Sequence, residues 1–354
     1  MKNMLNFGMV GCGEISVANL RAIQNLDNTR VVMVMDHNEE LALSLAEMAD
    51  CRVTLDFNEI LTAKEVEAVC FSTPHDLHAS MGIQAAEAGK HIVMEKPLAN
   101  TLEDAHRLVQ ACHENDVKLS VPYVYRYNYN IIKARELVQG GAIGKIIAVE
   151  IHWISEKPES YWMTGFTGRG GQSGWRKSKQ RSGGGVLMMN CIHFFDYIDY
   201  ISGLVPIKYY SQYDTFLTDV EVEDYFAGTV RFNNGALGSI LAGSKMVGGR
   251  YPDELRGVRF YGEHGQIVIG DPGPLWLYST ENTSDSQAGG WTAVTPALEL
   301  EARPQEQPAD SPRTRFMRGF VEAVLENREP PISGEDAYRS LETVMRLYEN
   351  TGPD

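Results

Sequence analysis

The stretch LNFGMVGCGEIS, residues 5–16, decides the fold of this chain. Leu5 to Val10 is a short apolar run, typical of a buried strand, and Ser16 to Leu26 has the spacing of a helix. Between them, Gly11 permits a tight turn and Gly13 lets a pyrophosphate approach the backbone. The order of strand, glycine turn and helix predicts a dinucleotide-binding site at the first turn of a parallel sheet.

Residues on both sides of this turn support the prediction. The amides of Glu14 and Ile15 would hold the pyrophosphate, and Ser16, in place of a third glycine, is small enough for close packing. Asp36 ends the second strand, at the distance from the glycine turn that is typical of an acidic residue that binds the ribose hydroxyls of a dinucleotide. Its carboxylate repels a 2′-phosphate and favours NAD, whereas His37 beside it leaves NADP open. The alternative is a generic turn with an exposed aspartate.

The first third of the chain alternates between strand and helix patterns. Four further strands are predicted at Arg30 to Met35, Ala68 to Phe71, His91 to Met94 and Lys118 to Val121. Three further helices are predicted at Glu39 to Met48, Leu77 to Ala88 and Leu102 to His113. This alternation indicates a parallel sheet with right-handed crossovers.

The pattern changes after about Pro122. A helix is predicted from about Asn130 to Gln139, and the stretch from Glu281 to Pro312 is expected to be loop. Strands follow the helix at Ile146 to Ile154, Phe226 to Phe232, Leu237 to Leu241, Val258 to Tyr261, Gln266 to Ile269 and Leu275 to Tyr278. Helices at Arg313 to Glu326 and Gly334 to Asn350 close the chain. Strands without regular helical crossovers indicate a mostly antiparallel sheet.

These patterns predict an α/β protein of two domains, since 354 residues exceed one ordinary core. Residues 1–122 would form a Rossmann dinucleotide-binding domain. Residues 123–354 would form an α+β domain that binds substrate. Its open sheet would join subunits into a homodimer or homotetramer.

The composition excludes several classes of protein. The net charge of -15 argues against nucleic acid or anionic membranes as partners. No apolar stretch is long enough to span a bilayer, and the N-terminus lacks the apolar segment of a signal peptide. The five cysteines are scattered without a Cys-x-x-Cys pair, so neither a metal site nor a disulfide framework is predicted. A cytoplasmic location is expected.

Glu95-Lys96-Pro97 is the first candidate for catalysis. It follows the buried run His91 to Met94, and the carboxyl ends of parallel strands are where an open sheet binds its ligand. A partly desolvated Lys96 is suited to proton transfer. Glu95 and Lys96 are also expected to face the cofactor.

A second strand end contributes cofactor-binding candidates. Ser72, Thr73 and Pro74 end the third predicted strand, and His78 follows at the start of a helix. In this fold that turn lies beside the dinucleotide. The alternative for His78 is a capping or surface histidine.

The catalytic partner of Lys96 is predicted in a helix that follows Gly183-Gly184-Gly185. These glycines would allow the backbone to approach a ligand closely. Asn190, His193 and Asp196 are spaced to share one helix face. Asn190 would bind a substrate hydroxyl, His193 would act as general acid/base, and Asp196 would orient its imidazole. The alternative for His193 is a structural histidine.

Further substrate-binding candidates lie between these motifs. Arg169 (within Gly168-Arg169-Gly170-Gly171), Trp175 and Arg176 belong to a glycine-rich loop that would line the substrate site or be an ordinary surface loop. Arg126 belongs to an aromatic and polar cluster that suits either a sugar or core packing.

The chain resembles the Gfo/Idh/MocA family of oxidoreductases over nearly its whole length. The motifs that carry the resemblance are Gly11-x-Gly13 with Asp36, Thr73-Pro74-x-x-x-His78, Glu95-Lys96-Pro97, Tyr125-Arg126-x-Asn128, Trp175-Arg176, and Gly183-Gly184-Gly185 with His193 and Asp196. The resemblance implies that Lys96 is catalytic, next to a cis peptide at Pro97, and that His193 is its partner. Many relatives carry Asp where this chain has Met189, so their substrate contacts are weaker guides.

Together these observations predict an NAD(P)-dependent dehydrogenase that acts on a secondary alcohol of a sugar, cyclitol or sugar derivative. Two alternatives remain open. One is an NAD-dependent glycosidase that oxidises its sugar transiently. The other is a non-catalytic sensor of a dinucleotide or sugar.

Overall fold

The run LNFGMV forms the strand β1 (Leu5–Val10) in the middle of a six-stranded parallel sheet. The computed structural model describes residues 4–169, 173–248, 256–270, 273–295 and 308–351. By their contacts, the residues divide into two units. The first comprises Met1–Val124, Glu159–Gly183 and Ala302–Leu341, and the second comprises Tyr125–Pro158, Gly184–Glu301 and Glu342–Asp354. The predicted division at residue 122 stays a prediction.

The first unit is a Rossmann fold. Its sheet has the order β3-β2-β1-β4-β5-β6. The other strands are β2 (Thr29–Met35), β3 (Arg52–Thr54), β4 (Ala68–Phe71), β5 (His91–Met94) and β6 (Leu119–Ser120). The helices are α1 (Glu14–Gln24), α2 (Glu39–Ala49), α3 (Phe57–Thr62), α4 (His78–Glu87), α5 (Leu102–Glu114), α7 (Tyr161–Thr164), α8 (Lys179–Ser182) and α10 (Pro312–Leu325). The predicted parallel sheet is confirmed.

The core of this unit lies along its central strands. All four residues of β4 are buried, as are Phe7, Met9 and Val10 of β1. Helix α10 packs on α1 and brings Phe320 to 6.2 Å from the ring of Phe7. Each fully buried side chain of this size contributes about 1.5–3 kcal/mol to the stability of the folded state. These strands are therefore a stable support for the loops at their carboxyl ends.

The second unit contains an eight-stranded sheet with the order β14-β13-β12-β11-β7-β10-β9-β8. Its strands are β7 (Ile146–Ile154), β8 (Pro206–Asp214), β9 (Tyr225–Phe232), β10 (Leu237–Gly243), β11 (Gly257–Gly262), β12 (Gly265–Gly270), β13 (Leu275–Ser279) and β14 (Trp291–Ala293). The pair of β7 and β10 is parallel and the other pairs are antiparallel. The predicted mostly antiparallel sheet is confirmed.

Two helices of the second unit, α6 (Tyr129–Gln139) and α9 (Ile192–Ser202), pack against each other, and α6 also contacts β12. The chain closes with α11 (Gly334–Glu349). On the sheet, Tyr210, Leu237 and Leu241 are 47%, 53% and 36% exposed. In the register of the sheet, Leu237 lies opposite Arg231 of β9, Tyr210 opposite Thr229, and Leu241 opposite Ala227. These three β9 residues are two positions apart, so Tyr210, Leu237 and Leu241 lie on the same open face of the sheet.

Some elements differ from the prediction. Strands β3 and β8 and helix α3 were not predicted, because their short or mixed polar and apolar sequences give no clear period. Strand β14 lies within the stretch predicted as loop from Glu281 to Pro312, which corrects that prediction for Trp291–Ala293. Residues 296–307 of the same stretch lie outside the described residues. Among the described helices, none is long and apolar enough to cross a membrane.

Candidate active site

The glycine turn, Gly11-Cys12-Gly13, combines a close approach of two backbone segments with a helix start that no described side chain caps. Gly11 has a φ of +86°, and a Cβ there would lie 2.7 Å from the backbone carbonyl of Ser72. Gly13 precedes α1, and a Cβ on it would meet no described atom within 4 Å. Within the described chain no side chain caps α1, whereas Asn38 and Thr101 cap α2 and α5. The first amides of α1, including Glu14 and Ile15, therefore suit a phosphate.

The Asp36 carboxylate is fixed beside this turn. Its Oδ2 accepts a hydrogen bond from the amide of Cys12 at 2.7 Å, and its Oδ1 accepts one from the amide of Asn38 at 2.9 Å. His37 Nδ1 lies 3.2 Å from Oδ1, with a side chain that is 92% exposed. Oδ2 can still accept a second hydrogen bond, which a ribose hydroxyl can donate.

The Glu14 side chain and Arg169 connect a distant segment to the turn. Glu14 accepts hydrogen bonds from the amides of Phe166 at 3.1 Å and Thr167 at 3.0 Å. Arg169 donates from Nε to the carbonyl of Cys12 at 3.1 Å and from Nη1 to Ser44 Oγ at 3.2 Å. Arg169, which the sequence placed with the substrate, therefore lies at the glycine turn. Gly170 and Gly171 lie outside the described residues.

His78 joins the ends of two strands. Its ring nitrogens Nδ1 and Nε2 lie 2.7 Å from the carbonyl of Pro97 and 3.0 Å from that of Thr73. The side chain is fully buried, so it is not a surface histidine, and burial lowers its pKa. Thr73 Oγ1 is buried and has no hydrogen-bond partner among the described residues. These contacts fix the loops that carry Thr73 and Lys96.

Glu95 takes part in a buried network behind the strand end. Its Oε1 accepts hydrogen bonds from Asn19 Nδ2 at 3.2 Å and from Arg313 Nη1 at 2.9 Å. Asn19 also donates to Ser72 Oγ at 3.1 Å. The network holds the residue next to Lys96 in place, and the Lys96-Pro97 peptide is cis, as the resemblance implied.

The loop with Trp175 and Arg176 packs within the first unit. The Trp175 ring lies 4.4 Å from that of His75, and the Arg176 guanidinium lies 4.6 Å from the Trp175 ring. His75 Nδ1 lies 2.7 Å from the carbonyl of Ser182. Burial and the neighbouring His78, followed by Lys96 and Arg176, lower the pKa of His75 well below its usual value. A neutral His75 therefore connects this loop to the turn after β4.

The three glycines before His193 make close contacts with protein atoms. A Cβ on Gly183 would lie 3.0 Å from the carbonyl oxygen of Asn100, one on Gly184 would lie 2.2 Å from Tyr348 Oη, and one on Gly185 would lie 1.9 Å from the carbonyl oxygen of Glu223. These glycines were predicted to let the backbone approach a ligand closely. In this structure they let the backbone approach other residues of the same chain closely.

Glu223 anchors the start of the segment that carries His193. Its carboxylate accepts hydrogen bonds from the amides of Gly185 at 2.7 Å and Leu187 at 2.9 Å and from Tyr348 Oη at 2.7 Å. Complete burial raises the pKa of Glu223, while these three donors oppose the rise. Leu187–Cys191 then forms a π-helical turn ahead of α9. Such turns are frequent at functional sites.

Asn190, His193 and Asp196 each meet a different neighbour in the second unit. Asn190 Oδ1 accepts a hydrogen bond from Lys157 Nζ at 2.7 Å. The His193 ring stands edge-on to Tyr125, with ring centres 5.1 Å apart. The fully buried Asp196 carboxylate binds Arg126 in a bidentate pair, at 2.9 Å from Nε and 2.7 Å from Nη2. Arg126, predicted to bind substrate, thus forms a buried ion pair.

Two models of known families match this chain. Residues 5–123 match an oxidoreductase family with an NAD-binding Rossmann fold, and residues 131–268 match the GFO/IDH/MocA C-terminal domain. The chain belongs to the Gfo/Idh/MocA family. The resemblance drawn from the motifs is confirmed, and the cofactor of the Rossmann domain is NAD.

Curated members of the Gfo/Idh/MocA family are similar over different lengths. A 1,5-anhydro-D-fructose reductase of Ensifer adhaerens is 26% identical and covers 97% of this chain and 95% of its own. A 2,7-anhydro-N-acetylneuraminate hydratase of Mediterraneibacter gnavus is 27% identical over 57% of this chain. The chain spans about half the length of this hydratase and of two further relatives, at 50–52%.

Solved Gfo/Idh/MocA structures share the fold. A levoglucosan dehydrogenase in complex with NADH and levoglucosan superposes with a TM-score of 0.81 at 23% identity, and the superposition covers 98% of this chain and 97% of the other. This likeness shows that the two proteins share the same fold.

Four residues of these networks were missed by the sequence analysis. Asn19 and Arg313 hold Glu95, Lys157 holds Asn190, and Glu223 holds the turn before His193. Asn19 carried a signal, since it is a polar residue on the apolar face of α1. The other three lie far along the chain from the groups they contact, and no local pattern marks them.

Proposed function

We propose that this protein is an NAD-dependent oxidoreductase that transfers hydride between nicotinamide and a secondary alcohol or ketone of a sugar, cyclitol or sugar derivative. The observation that carries the proposal is Lys96, which lies at the carboxyl end of β5 in a domain of the NAD-binding family. When bound, NAD supplies the carbon that accepts the hydride.

Lys96 is proposed to act on the reacting oxygen. An ammonium group that donates a hydrogen bond to a carbinol oxygen stabilises the negative charge that develops there. The Glu95 network and the His78 bridge support this role, because they hold the backbone on both sides of Lys96. A catalytic group needs such support to keep its geometry.

His193 is proposed to accept the hydroxyl proton in the oxidation direction and to return it in the reduction direction. Tyr125 limits the rotation of its ring by edge-on contact. Asn190 is proposed to bind a substrate hydroxyl, with Lys157 fixing the orientation of its amide. Met189, where many relatives carry Asp, is buried and offers no carboxylate to a polyol.

The proposed cofactor contacts centre on the glycine turn. Gly11, Gly13, Glu14 and Ile15 would bind the pyrophosphate, and Asp36 would bind the ribose hydroxyls. Ser72, Thr73 and Pro74 would line the site beside them, and the partner-free hydroxyl of Thr73 among the described residues supports a ligand there. His37 is mostly exposed next to Asp36, and NADP is the alternative cofactor at this position.

Substitution of the acid/base pair tests the proposal. Lys96→Ala and His193→Ala are each expected to lower kcat by about 100-fold or more, because each removes a group that acts on the reacting oxygen. Steady-state NADH formation, over a panel of inositols, aldoses, sugar acids and anhydrosugars, measures kcat, and NADH fluorescence measures cofactor binding. The Kd for NADH is expected to change by less than about threefold in either variant.

Exposed residues of the same type provide the controls. Lys64→Ala and His264→Ala remove a lysine and a histidine from exposed positions and should leave kcat unchanged. Full turnover by the Lys96 and His193 variants would refute the assignment.

A redox-neutral reaction is the second candidate, and the hydratase relatives favour it. Addition or removal of water needs no net oxidation, and neither does glycoside cleavage through transient oxidation. In that case product would form from an anhydrosugar or glycoside without NADH accumulation. A non-catalytic sensor would give neither product nor NADH, although it would bind the dinucleotide.

We also propose that the open sheet face of the second unit joins subunits into a homodimer or homotetramer. The exposed apolar side chains Tyr210, Leu237 and Leu241 support this interface. A cytoplasmic location remains part of the proposal.

A further inference from the structure

A short strap crosses the glycine turn of the first unit. The strap is Gly165 to Arg169, and it meets the turn at both of its ends. At one end, the Glu14 carboxylate accepts hydrogen bonds from two successive amides of the strap. Gly165 has a φ of +84°, and a Cβ there would lie 2.5 Å from Glu14 Oε2. The contact therefore requires glycine at this position.

Arg169 forms the other end of the strap. Its guanidinium bridges the carbonyl of Cys12, inside the turn, and Ser44 on α2. Nη2 is buried and has no hydrogen-bond partner among the described residues. A buried donor that is left unsatisfied is costly, so this nitrogen is suited to an acceptor supplied by a ligand.

The charges around Cys12 indicate the nature of that acceptor. The carboxylate of Asp36 binds the Cys12 amide, and the guanidinium of Arg169 binds the Cys12 carbonyl. Burial raises the pKa of the Cys12 thiol; Asp36 adds to the rise, and Arg169 opposes it. The Asp36 carboxylate suits ribose hydroxyls, and the Arg169 guanidinium lies next to it. Guanidinium groups bind phosphates strongly, so the acceptor for Arg169 is best supplied by a phosphate of the same ligand.

We propose that Arg169 binds a phosphate of the dinucleotide and that the strap, held by Glu14, retains the bound cofactor. This inference rests on the proposed function only in assuming that the chain binds NAD(H) or NADP(H). It moves Arg169 from the predicted substrate contacts to the cofactor contacts. The phosphate is either the pyrophosphate, which both dinucleotides carry, or the 2′-phosphate of NADP(H).

Equilibrium binding of NADH, NADPH and ADP-ribose, measured by fluorescence or calorimetry without sugar, tests the phosphate contact. For Arg169→Ala we expect about tenfold weaker binding, from loss of a charge-assisted hydrogen bond. An equal loss for all three ligands identifies the pyrophosphate, and a loss confined to NADPH identifies the 2′-phosphate. Arg169→Lys keeps the charge without the planar fork and should recover part of the affinity.

Stopped-flow release of bound NADH tests the retention by the strap. Glu14→Ala removes the acceptor for both strap amides and should speed dissociation by about tenfold, with a smaller change in association. Arg107→Ala, on the exposed surface of α5, is the control for loss of an arginine from the same unit and should change neither rate. Thermal melting of each variant without cofactor reports whether it is folded.

The possible failures are distinct. Folded Arg169 variants that bind every dinucleotide as the wild type does would overturn the inference and leave the proposed function intact. A wild-type chain that binds no dinucleotide would overturn both.

Discussion

The side chain of Glu95 illustrates how single residues act in this protein. It adjoins the proposed catalytic Lys96, yet its carboxylate faces Asn19 and Arg313. The Glu95 and Arg313 side chains are 8% and 11% exposed. A buried charge that loses its partner is strongly destabilising, so the pair secures the strand end on which Lys96 stands.

Removal of Arg313 should therefore destabilise the protein. Arg313→Ala leaves the Glu95 carboxylate buried without its cation, with hydrogen bonds from Asn19 and the Lys96 amide remaining, and we expect the melting temperature to fall by about 10 °C. Differential scanning fluorimetry measures the change. Arg318→Ala, on the same helix and 46% exposed, loses a surface ion pair and an exposed hydrogen bond to the carbonyl of Ala309, and it should melt within about 2 °C of the wild type. Equal melting temperatures for both variants would contradict a structural role for Arg313.

At the residue scale, contacts can be predicted from the sequence where the partners are close in the chain. Gly11, Gly13 and Asp36 belong to one β-α-β unit with a known spacing, so their meeting at one turn follows from the fold. Arg313 lies 218 residues from Glu95, and only tertiary packing of α10 on α1 brings them together. Arg169 was predicted to bind substrate, and its position in the sequence gave no information on its contact with Cys12.

At the scale of elements, the π-helical turn Leu187–Cys191 determines where Asn190 and His193 lie on their helix. Sequence spacing predicted a regular helix, in which i and i+3 share a face. A π-helical turn contains more residues than an α-helical turn and shifts this register. Its start depends on Glu223, whose carboxylate binds two amides there. No periodic pattern in the sequence marks such a turn, so this part of the site required the structure.

Gly185 tests the importance of that start. A methyl group in Gly185→Ala would collide with the Glu223 backbone, and relief of the collision must displace either Glu223 or the turn. We expect a lower melting temperature and a fall in kcat of about tenfold or more, as catalytic groups lose their geometry. Steady-state kinetics and thermal melting check both effects.

The matched control is Gly290→Ala, at an exposed position where a Cβ meets no described atom within 4 Å. It should leave both quantities unchanged. If Gly185→Ala behaves like this control, the turn tolerates displacement and Glu223 does not position His193.

At the scale of the whole molecule, the two units differ in what they leave exposed. The strands at the centre of the first sheet are buried, whereas the second sheet keeps an open face with Leu237 and Leu241. The alternation of strand and helix predicted the first sheet, and turn-separated strands predicted the second. The division of the chain between units was harder to foresee, because residues 159–183 and 302–341 carry no pattern that ties them to the first.

The open face gives a prediction about assembly. Leu237→Arg and Leu241→Arg place charges at the centre of the proposed interface, and the double variant should sediment as a monomer while the wild type sediments as a dimer or tetramer. Analytical ultracentrifugation makes the measurement. Leu43→Arg, at a half-exposed position on α2, should leave the mass unchanged. A double variant with the wild-type mass would place the interface elsewhere.

The pairing of Glu95 with Arg313 also bears on synthesis of the protein. The ribosome completes all six strands of the first sheet about 190 residues before it delivers Arg313, because β6 ends at Ser120. Until α10 emerges, the nascent sheet lacks both the helix that covers α1 and the cation that neutralises Glu95. The cofactor-binding half of the protein, although encoded first, therefore reaches its final form only near the end of translation, and chains truncated before α10 would be substrates for chaperones and proteases.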